Sequence, residues 1–477
     1  MSYVALIFAP LVFSGFLYLF TKKSPLAKYI VLGYFVFLFV ETLFLYLQLP
    51  QNGYLMLGKF LEVKEFGFIL TLEIDRLSSV MLLLTSLLLI LVTLSSWSMQ
   101  KESAYFSLLL FFSGAIFGVF MSTNLMWFFI FWELTLIPMY FLVGIWGGDG
   151  RVYAALKFFL YTHVASMFIL LAFFLIFKQT ATFDMTQIQE SMLVTPTLIW
   201  WLLFVGFAVK MPLFPFHTWL PDAHVEASAP ISVLLAGVLL KMGAYAMIRF
   251  VILMLPQEAH KYAFVLLGAG ILSLLYAGVM ALYETHLKKM VAYSSISHMG
   301  LVAIGMATLS YEGLSAALFE MIGHAFIIAP LFLIAGFFHY KTQSWQMQDL
   351  GGIMQKAPYI SALFVLAGLG ALGLPATMGF VGEITIFLSA LDTYGAWVAF
   401  IAFGAMIGSG YIIWTLRRVI YGPMSQKVQE SNFSISWVEF FALAVFGIAI
   451  VAFGVYPQAL FDAINEVFSA YNLGGAM

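Results

Sequence analysis

Six ionisable side chains stand inside stretches that are otherwise apolar. Glu133 lies in Phe-Phe-Ile-Phe-Trp-Glu-Leu-Thr-Leu-Ile-Pro, and Lys210 opens a Lys-Met-Pro-Leu-Phe-Pro run. Lys241 follows Val-Leu-Leu-Ala-Gly-Val-Leu-Leu, Glu383 closes a glycine-rich run, and His298 and His324 each sit in a long apolar stretch. A charge at the centre of a membrane helix costs about 2.5–3.5 kcal/mol on insertion scales, so such residues usually mark a pathway. The set suits proton transfer. Burial disfavours a charged lysine and a nearby carboxylate favours it, so a lysine held between the two changes protonation state when its partner moves. Histidine relays protons because its ordinary pKa of about 6.5 lies close to neutrality.

A packing role fits some of the same residues. Glu133 or Lys241 could be half of a buried ion pair that fixes helix packing. His298, preceded by Ser294, Ser295 and Ser297, could be an interhelical hydrogen-bonding residue. Lys157 and His163 read as structural, Lys157 being close enough to a span end to snorkel. Glu41 and Glu320 read as structural or lipid-edge acids, although Glu320 lies four residues before His324 and so shares its helix face. His217 and His224 lack the further ligands a metal site requires.

The elements that must position these groups follow from composition. Of 477 residues, 63% are hydrophobic and 9% charged, against about 25% charged in a soluble domain. Mean hydropathy is +1.00. Lipid is therefore the solvent for most of the chain. The net charge of −2 argues against a nucleic-acid partner. The absence of cysteine excludes disulfides, thiol catalysis and Cys-ligated iron–sulfur clusters. Redox chemistry would need centres on another chain, or a non-covalent haem on histidine.

A spanning helix takes roughly 20 mostly apolar residues. Fourteen stretches qualify, near 3–20, 29–48, 77–97, 105–121, 125–146, 153–178, 194–220, 228–250, 261–284, 287–308, 313–338, 358–388, 395–417 and 435–455. The first has no basic segment before it and reads as a span rather than a leader. The seventh carries Lys210-Met-Pro212-Leu-Phe-Pro215; the twelfth carries Gly368, Gly370, Gly373, Pro375, Gly379 and Gly382. Both must break, and a broken helix in lipid is tolerated where protein or a water-filled cavity satisfies its backbone. With the N-terminus outside, inside loops carry twelve basic residues, among them Lys22, Lys23, Lys101 and Lys288, and outside loops carry six, including Lys59, Lys64 and Arg249. That imbalance puts both termini outside. Alternation of Phe66, Phe68, Leu70, Leu72 and Ile74 predicts a small outside hairpin over 54–76. Leu460, Phe461, Ile464 and Phe468 predict an interfacial helix in the tail.

The run Phe214-Pro-Phe-His-Thr-Trp-Leu-Pro-Asp-Ala-His-Val-Glu-Ala, with Trp132-Glu-Leu, Lys241-Met-Gly-Ala-Tyr and Tyr293-Ser-Ser-Ile-Ser-His-Met-Gly, resembles the antiporter-like subunits of respiratory complex I, the proton-pumping NADH:quinone oxidoreductase. The likeness covers essentially the whole chain. Glu383, where related L and N branches and the Mrp antiporters resemble one another in having lysine, points to the M branch, the counterpart of mitochondrial chain 4. His324-Ala-Phe-Ile-Ile-Ala-Pro-Leu-Phe, without a lysine shortly after the histidine, points the same way.

The resemblance implies an all-α polytopic membrane fold with inverted five-helix repeats, spans 4–8 and 9–13. Segments 1–104 and 419–477 would flank repeats at 105–250 and 251–418. It also implies roles. Glu133 would pair with Lys210, the proton-holding lysine of the inner half-channel. Lys241, His298 and His324 would form a central relay, and Glu383 would face the outer half-channel. His217 would help admit protons or gate the first break. NADH, FMN, iron–sulfur clusters and quinone would sit on partner subunits, L and N subunits would be neighbours, and the site would be a bacterial inner membrane. Other readings are the equivalent subunit of a membrane-bound hydrogenase or formate hydrogenlyase, an Mrp-type cation/proton antiporter, which Glu383 weighs against, and a structural spacer, which gains nothing from buried charges.

Overall fold

The computed structural model describes residues 3–21, 26–50, 53–63, 68–99 and 102–468. Lys22, Lys23, Lys64 and Lys101, used in the charge count, lie outside these residues, as do Phe66 and the end of the tail after Phe468.

Each of the fourteen apolar stretches holds a helix or a pair of helices. Among the described residues, twelve helices are long and apolar enough to cross a membrane, and thirteen if one bent pair counts as a span. The difference from fourteen arises at the two breaks. The seventh stretch stops at Lys210 as a 15-residue helix, Pro196–Lys210, before resuming as Trp219–Glu226. The second half of the twelfth runs with the thirteenth as Met378–Val419. Outward faces carry large apolar side chains such as Phe20, Leu47, Tyr283 and Trp437, which suits a lipid solvent and not water.

The chain forms two units. One comprises the chain through Lys210, Tyr245–Lys261 and the stretch from Ala463; the other comprises Met211–Ala244 and Tyr262–Asp462. In the first, Val4–Thr21 packs on Ser103–Met121, Leu26–Gln48 on Arg76–Ser95, and Arg151–Thr180 on Pro196–Lys210. The expected hairpin forms: β1 (Leu55–Val63) pairs antiparallel with β2 (Phe68–Ile74). Leu70, Leu72 and Ile74 are fully buried, and Thr71 and Glu73 between them are buried too, so both faces of this strand are covered.

Asp75 ends the hairpin and caps Arg76–Ser95, accepting from the Ser78 amide at 2.8 Å. It also accepts from both terminal nitrogens of Arg249, at 2.5 and 2.9 Å. Burial works against the Asp75 charge, but the Arg249 guanidinium and Ser78 outweigh it and hold the carboxyl below the usual carboxylate range. Arg249 is thus a tied residue within the π-turn Met247–Leu253.

In the second unit, Leu287–Ala307 is buried at every position but Lys289, against Ala263–Tyr283 and Tyr311–Thr342. Lys288, counted among the inside-loop charges, is buried there and donates to the carbonyls of Val225 and Ala227. The glycine-rich break falls between Pro358–Ala371 and Met378–Tyr394. Gly373 there has a φ of +74°, a conformation glycine adopts without steric cost. Gly379 is needed for a different reason: a Cβ on it would overlap the Gly370 carbonyl oxygen. Backbone cannot yield as a side chain can, and overpacking of this kind costs about 1–3 kcal/mol or more. The expected result of Gly379→Ala is a lowered thermal unfolding midpoint in detergent and reduced yield of folded chain. An unchanged midpoint would show that the break has slack.

The described part of the tail is the helix Gln458–Phe468, with Ile464, Val467 and Phe468 buried.

Candidate functional site

Glu133 is carried by Leu125–Leu134, which starts at Asn124, whose side chain accepts from the amides of Met126 and Trp127. The segment is interrupted at Thr135 and continues as Leu136–Trp146, where Pro138 lacks the amide that would bond one turn back. Beside this interruption Glu133 Oε2 lies 2.7 Å from His163 Nδ1 on Arg151–Thr180. Its other oxygen, Oε1, is buried and makes no hydrogen bond.

Lys210 is the last residue of Pro196–Lys210 and is 1% exposed. A helix C-terminus, with its unpaired carbonyls, favours a cation. Its Nζ makes no hydrogen bond and stands 5.2 Å from the Trp132 ring centre and 5.9 Å from that of Phe158. In its charged form the lysine is held there by cation–π attraction, with no hydrogen-bonded anion. Within this unit Glu133 and Lys210 are neighbours of Trp132, one in sequence and one in space. The carboxylate bonds His163 rather than the lysine.

The second unit gathers a larger cluster. Lys241 is fully buried and lies between two π-turns, Leu235–Leu239 and Met247–Leu253. Such turns often occur at functional sites. Lys241 Nζ donates to the Ala236 carbonyl at 2.7 Å and lies 2.5 Å from His324 Nδ1. An ammonium has only donors, so next to Lys241 in its charged form His324 Nδ1 accepts. The His324 ring centre is 5.4 Å from that of His298. His298 Nδ1 is 3.0 Å from Glu320 Oε1 and 3.9 Å from Glu383 Oε1. The order Lys241, His324, His298, then two carboxylates, is a set of groups that can each hold or pass a proton. A cavity of about 350 Å³, lined by Ser297, His298, Gly373 and Glu383 among apolar side chains, opens beside it. This volume has room for several waters, each of which takes about 30 Å³ in the liquid.

His217 lies in the first break, 3% exposed, with its ring 5.6 Å from Phe214 and 5.1 Å from Tyr276; its Nδ1 makes no hydrogen bond. His224 is buried and stacked on Phe332 at 4.5 Å. Among the described residues, no three His, Asp or Glu side chains converge as metal ligands.

Two acidic or basic partners escaped the sequence reading. Glu320, read as structural or lipid-edge, is completely buried and bonded to His298. Its i, i+4 relation to His324 was the only signal. His163, read as structural, is the direct partner of Glu133; no spacing links residues on two helices.

A chain with a dozen or more spans, two interrupted helices and ionisable groups buried in its interior defines a membrane protein of the ion-translocating class. The chain belongs to the NADH:quinone oxidoreductase/Mrp antiporter transmembrane family, which it matches over residues 122–408. Both breaks and all seven expected site residues fall in that stretch. It is 34% identical over 474 residues to NADH-quinone oxidoreductase subunit M of Rickettsia prowazekii (strain Madrid E), covering 96% of each chain. It is 39% identical over 453 residues to NAD(P)H-quinone oxidoreductase chain 4 of Nostoc sp., covering 91% of this chain and 84% of that one. A chain of respiratory complex I from Thermus thermophilus with bound NADH superposes with a TM-score of 0.88 at 26% identity, over 99% of this chain and 100% of that one. The M-branch assignment drawn from Glu383 and the His324 span agrees with these names.

Proposed function

We propose that this chain is the proton-translocating M-type membrane subunit of an NADH:quinone oxidoreductase. The observation that carries the reading is the fully buried Lys241–His324–His298 set ending on carboxylates, in a chain whose relatives are named as M subunits of such oxidoreductases. Lys241, His324 and His298 form the relay, and Glu383 beside the cavity is the outer terminus. Glu133 and Lys210 serve the inner half-channel, and His217 helps admit protons or gates the first break. In this reading spans 4–8 and 9–13 are inverted repeats, and the broken seventh and twelfth helices occupy corresponding positions in them. The chain itself does no redox chemistry; NADH, FMN, iron–sulfur clusters and quinone belong to partner subunits. L- and N-type subunits flank it in a bacterial cytoplasmic membrane, with both termini outside.

The test is purification in mild detergent with identification of the accompanying chains, followed by reconstitution into proteoliposomes. The expected result is an NADH-binding flavoprotein among those chains and acidification or alkalinisation of the lumen on adding NADH and quinone. A nickel–iron hydrogenase partner in its place would select a membrane-bound hydrogenase and overturn the assignment.

A further inference from the structure

Glu320 belongs to the buried set, but the roles assigned above give it no part of its own. It is 0% exposed on Tyr311–Thr342, in the sequence Phe-Glu-Met-Ile-Gly-His. Its Oε1 lies 3.0 Å from His298 Nδ1, closer than Glu383 Oε1 at 3.9 Å, so both acids face the same ring nitrogen. Its Oε2 is buried without a hydrogen bond, against Gly382, where a Cβ would overlap that oxygen. The glycine-rich break therefore makes room for this acid as well as breaking the helix.

We infer that Glu320 is a proton-holding residue of the relay, sharing His298 with Glu383 so that the cluster stores one proton more than Lys241 and Glu383 would hold alone. The inference rests on the reading of this chain as a proton carrier. Its basis is charge balance. Buried charge is tolerated only when compensated. One buried carboxylate is balanced by one proton on Lys241. A second buried carboxylate requires a second proton, and the nearest place for it is the Glu320–His298–Glu383 set. With His298 as imidazolium, once Glu383 Oε1 closes from 3.9 Å to hydrogen-bond distance the Nδ1–H bond breaks and an O–H bond forms on Glu383 Oε1, leaving a neutral ring and a neutral acid. Transfer to Glu320 Oε1 instead breaks the same Nδ1–H bond and forms an O–H bond on Glu320, which holds the proton on the acid that does not line the cavity. Two acids on one ring nitrogen give the proton two resting places, of which Glu383 lines the cavity.

The experiment uses the assembled complex with Glu320→Gln, Glu320→Asp and, as reference, Lys241→Ala. Proton pumping is read as ΔpH in proteoliposomes, and carboxylic-acid C=O stretching bands are read by infrared difference spectroscopy. A positioned proton-transfer group typically contributes about 10²–10⁴-fold, so Glu320→Gln is expected to slow pumping by at least about tenfold. It should also delete one carboxyl band, and Glu320→Asp should restore both in large part. Normal pumping by Glu320→Gln, with Lys241→Ala inactive, would overturn the role of Glu320 and leave the relay standing. Normal pumping by both would overturn the proton-carrier reading itself. Slowed pumping with an unchanged carboxyl band and no rescue by Asp would make Glu320 a packing residue and overturn the inference.

Discussion

Lys241→Ala is expected to abolish proton pumping while the complex stays assembled. The ammonium is fully buried and held by the Ala236 carbonyl and His324 Nδ1. Removing it deletes a group that joins the widened turn at Ala236 to the histidine pair. Loss of a positioned proton-transfer group costs about 10²–10⁴-fold in rate, which takes pumping below detection in proteoliposomes. The same change leaves a buried carbonyl and a ring nitrogen without their donor, a penalty of about 1–3 kcal/mol for each unsatisfied group. Structural damage must therefore be separated from lost chemistry. Lys241→Met keeps the length and volume of the stem, so it should match Lys241→Ala in pumping and fall nearer the unchanged chain in thermal midpoint. Native gel electrophoresis with in-gel NADH oxidation reports assembly. Pumping at the normal rate by either variant would remove Lys241 from the relay.

The spans and breaks were legible because lipid demands them. A helix in hydrocarbon must be long and apolar, and prolines such as Pro212 and Pro215 or a run of glycines must interrupt it. The hairpin was legible for a different reason: Leu70, Leu72 and Ile74 put one apolar face on β2 with a period of two, although Thr71 and Glu73 on its other face are buried as well. Glu320 was not legible. In a soluble helix, apolar neighbours mark the buried face, but in a membrane the lipid is as apolar as the core, so neighbours cannot tell the two faces apart. Phe-Glu-Met-Ile-Gly-His looks the same whether Glu320 meets lipid or His298. The π-turns around Lys241 were hidden as well. Val-Leu-Leu-Ala-Gly-Val-Leu-Leu contains no proline, and Gly237 alone does not specify a widened turn. The burial of Lys288 was hidden for a related reason: a cation next to a span end reads as a loop charge in sequence, yet here it is buried and donates to the carbonyls of Val225 and Ala227.

Glu133→Gln is expected to lower pumping by about tenfold or more with assembly retained, on the same scale for a lost proton-transfer or charge-switching group. The amide preserves shape and can still bond His163, so only the charge is removed. The informative companion is His163→Ala. In the present arrangement His163 holds Glu133 Oε2 at 2.7 Å, while Glu133 Oε1 is buried without a hydrogen bond and Lys210 Nζ rests over Trp132 with none. Deleting His163 removes the bond that keeps the carboxylate from the lysine. If Lys210 changes proton occupancy as Glu133 moves between these partners, His163→Ala should slow turnover by fixing Glu133 near Lys210, and the number of protons pumped per NADH should fall with it. The two changes act on one interaction, so they must not add. The double variant Glu133→Gln/His163→Ala should pump no worse than Glu133→Gln alone, the non-additivity expected of directly coupled residues. Additive losses would mean that His163 supports the fold independently. Pumping at the normal rate by Glu133→Gln would show that the charge at this position does not control Lys210.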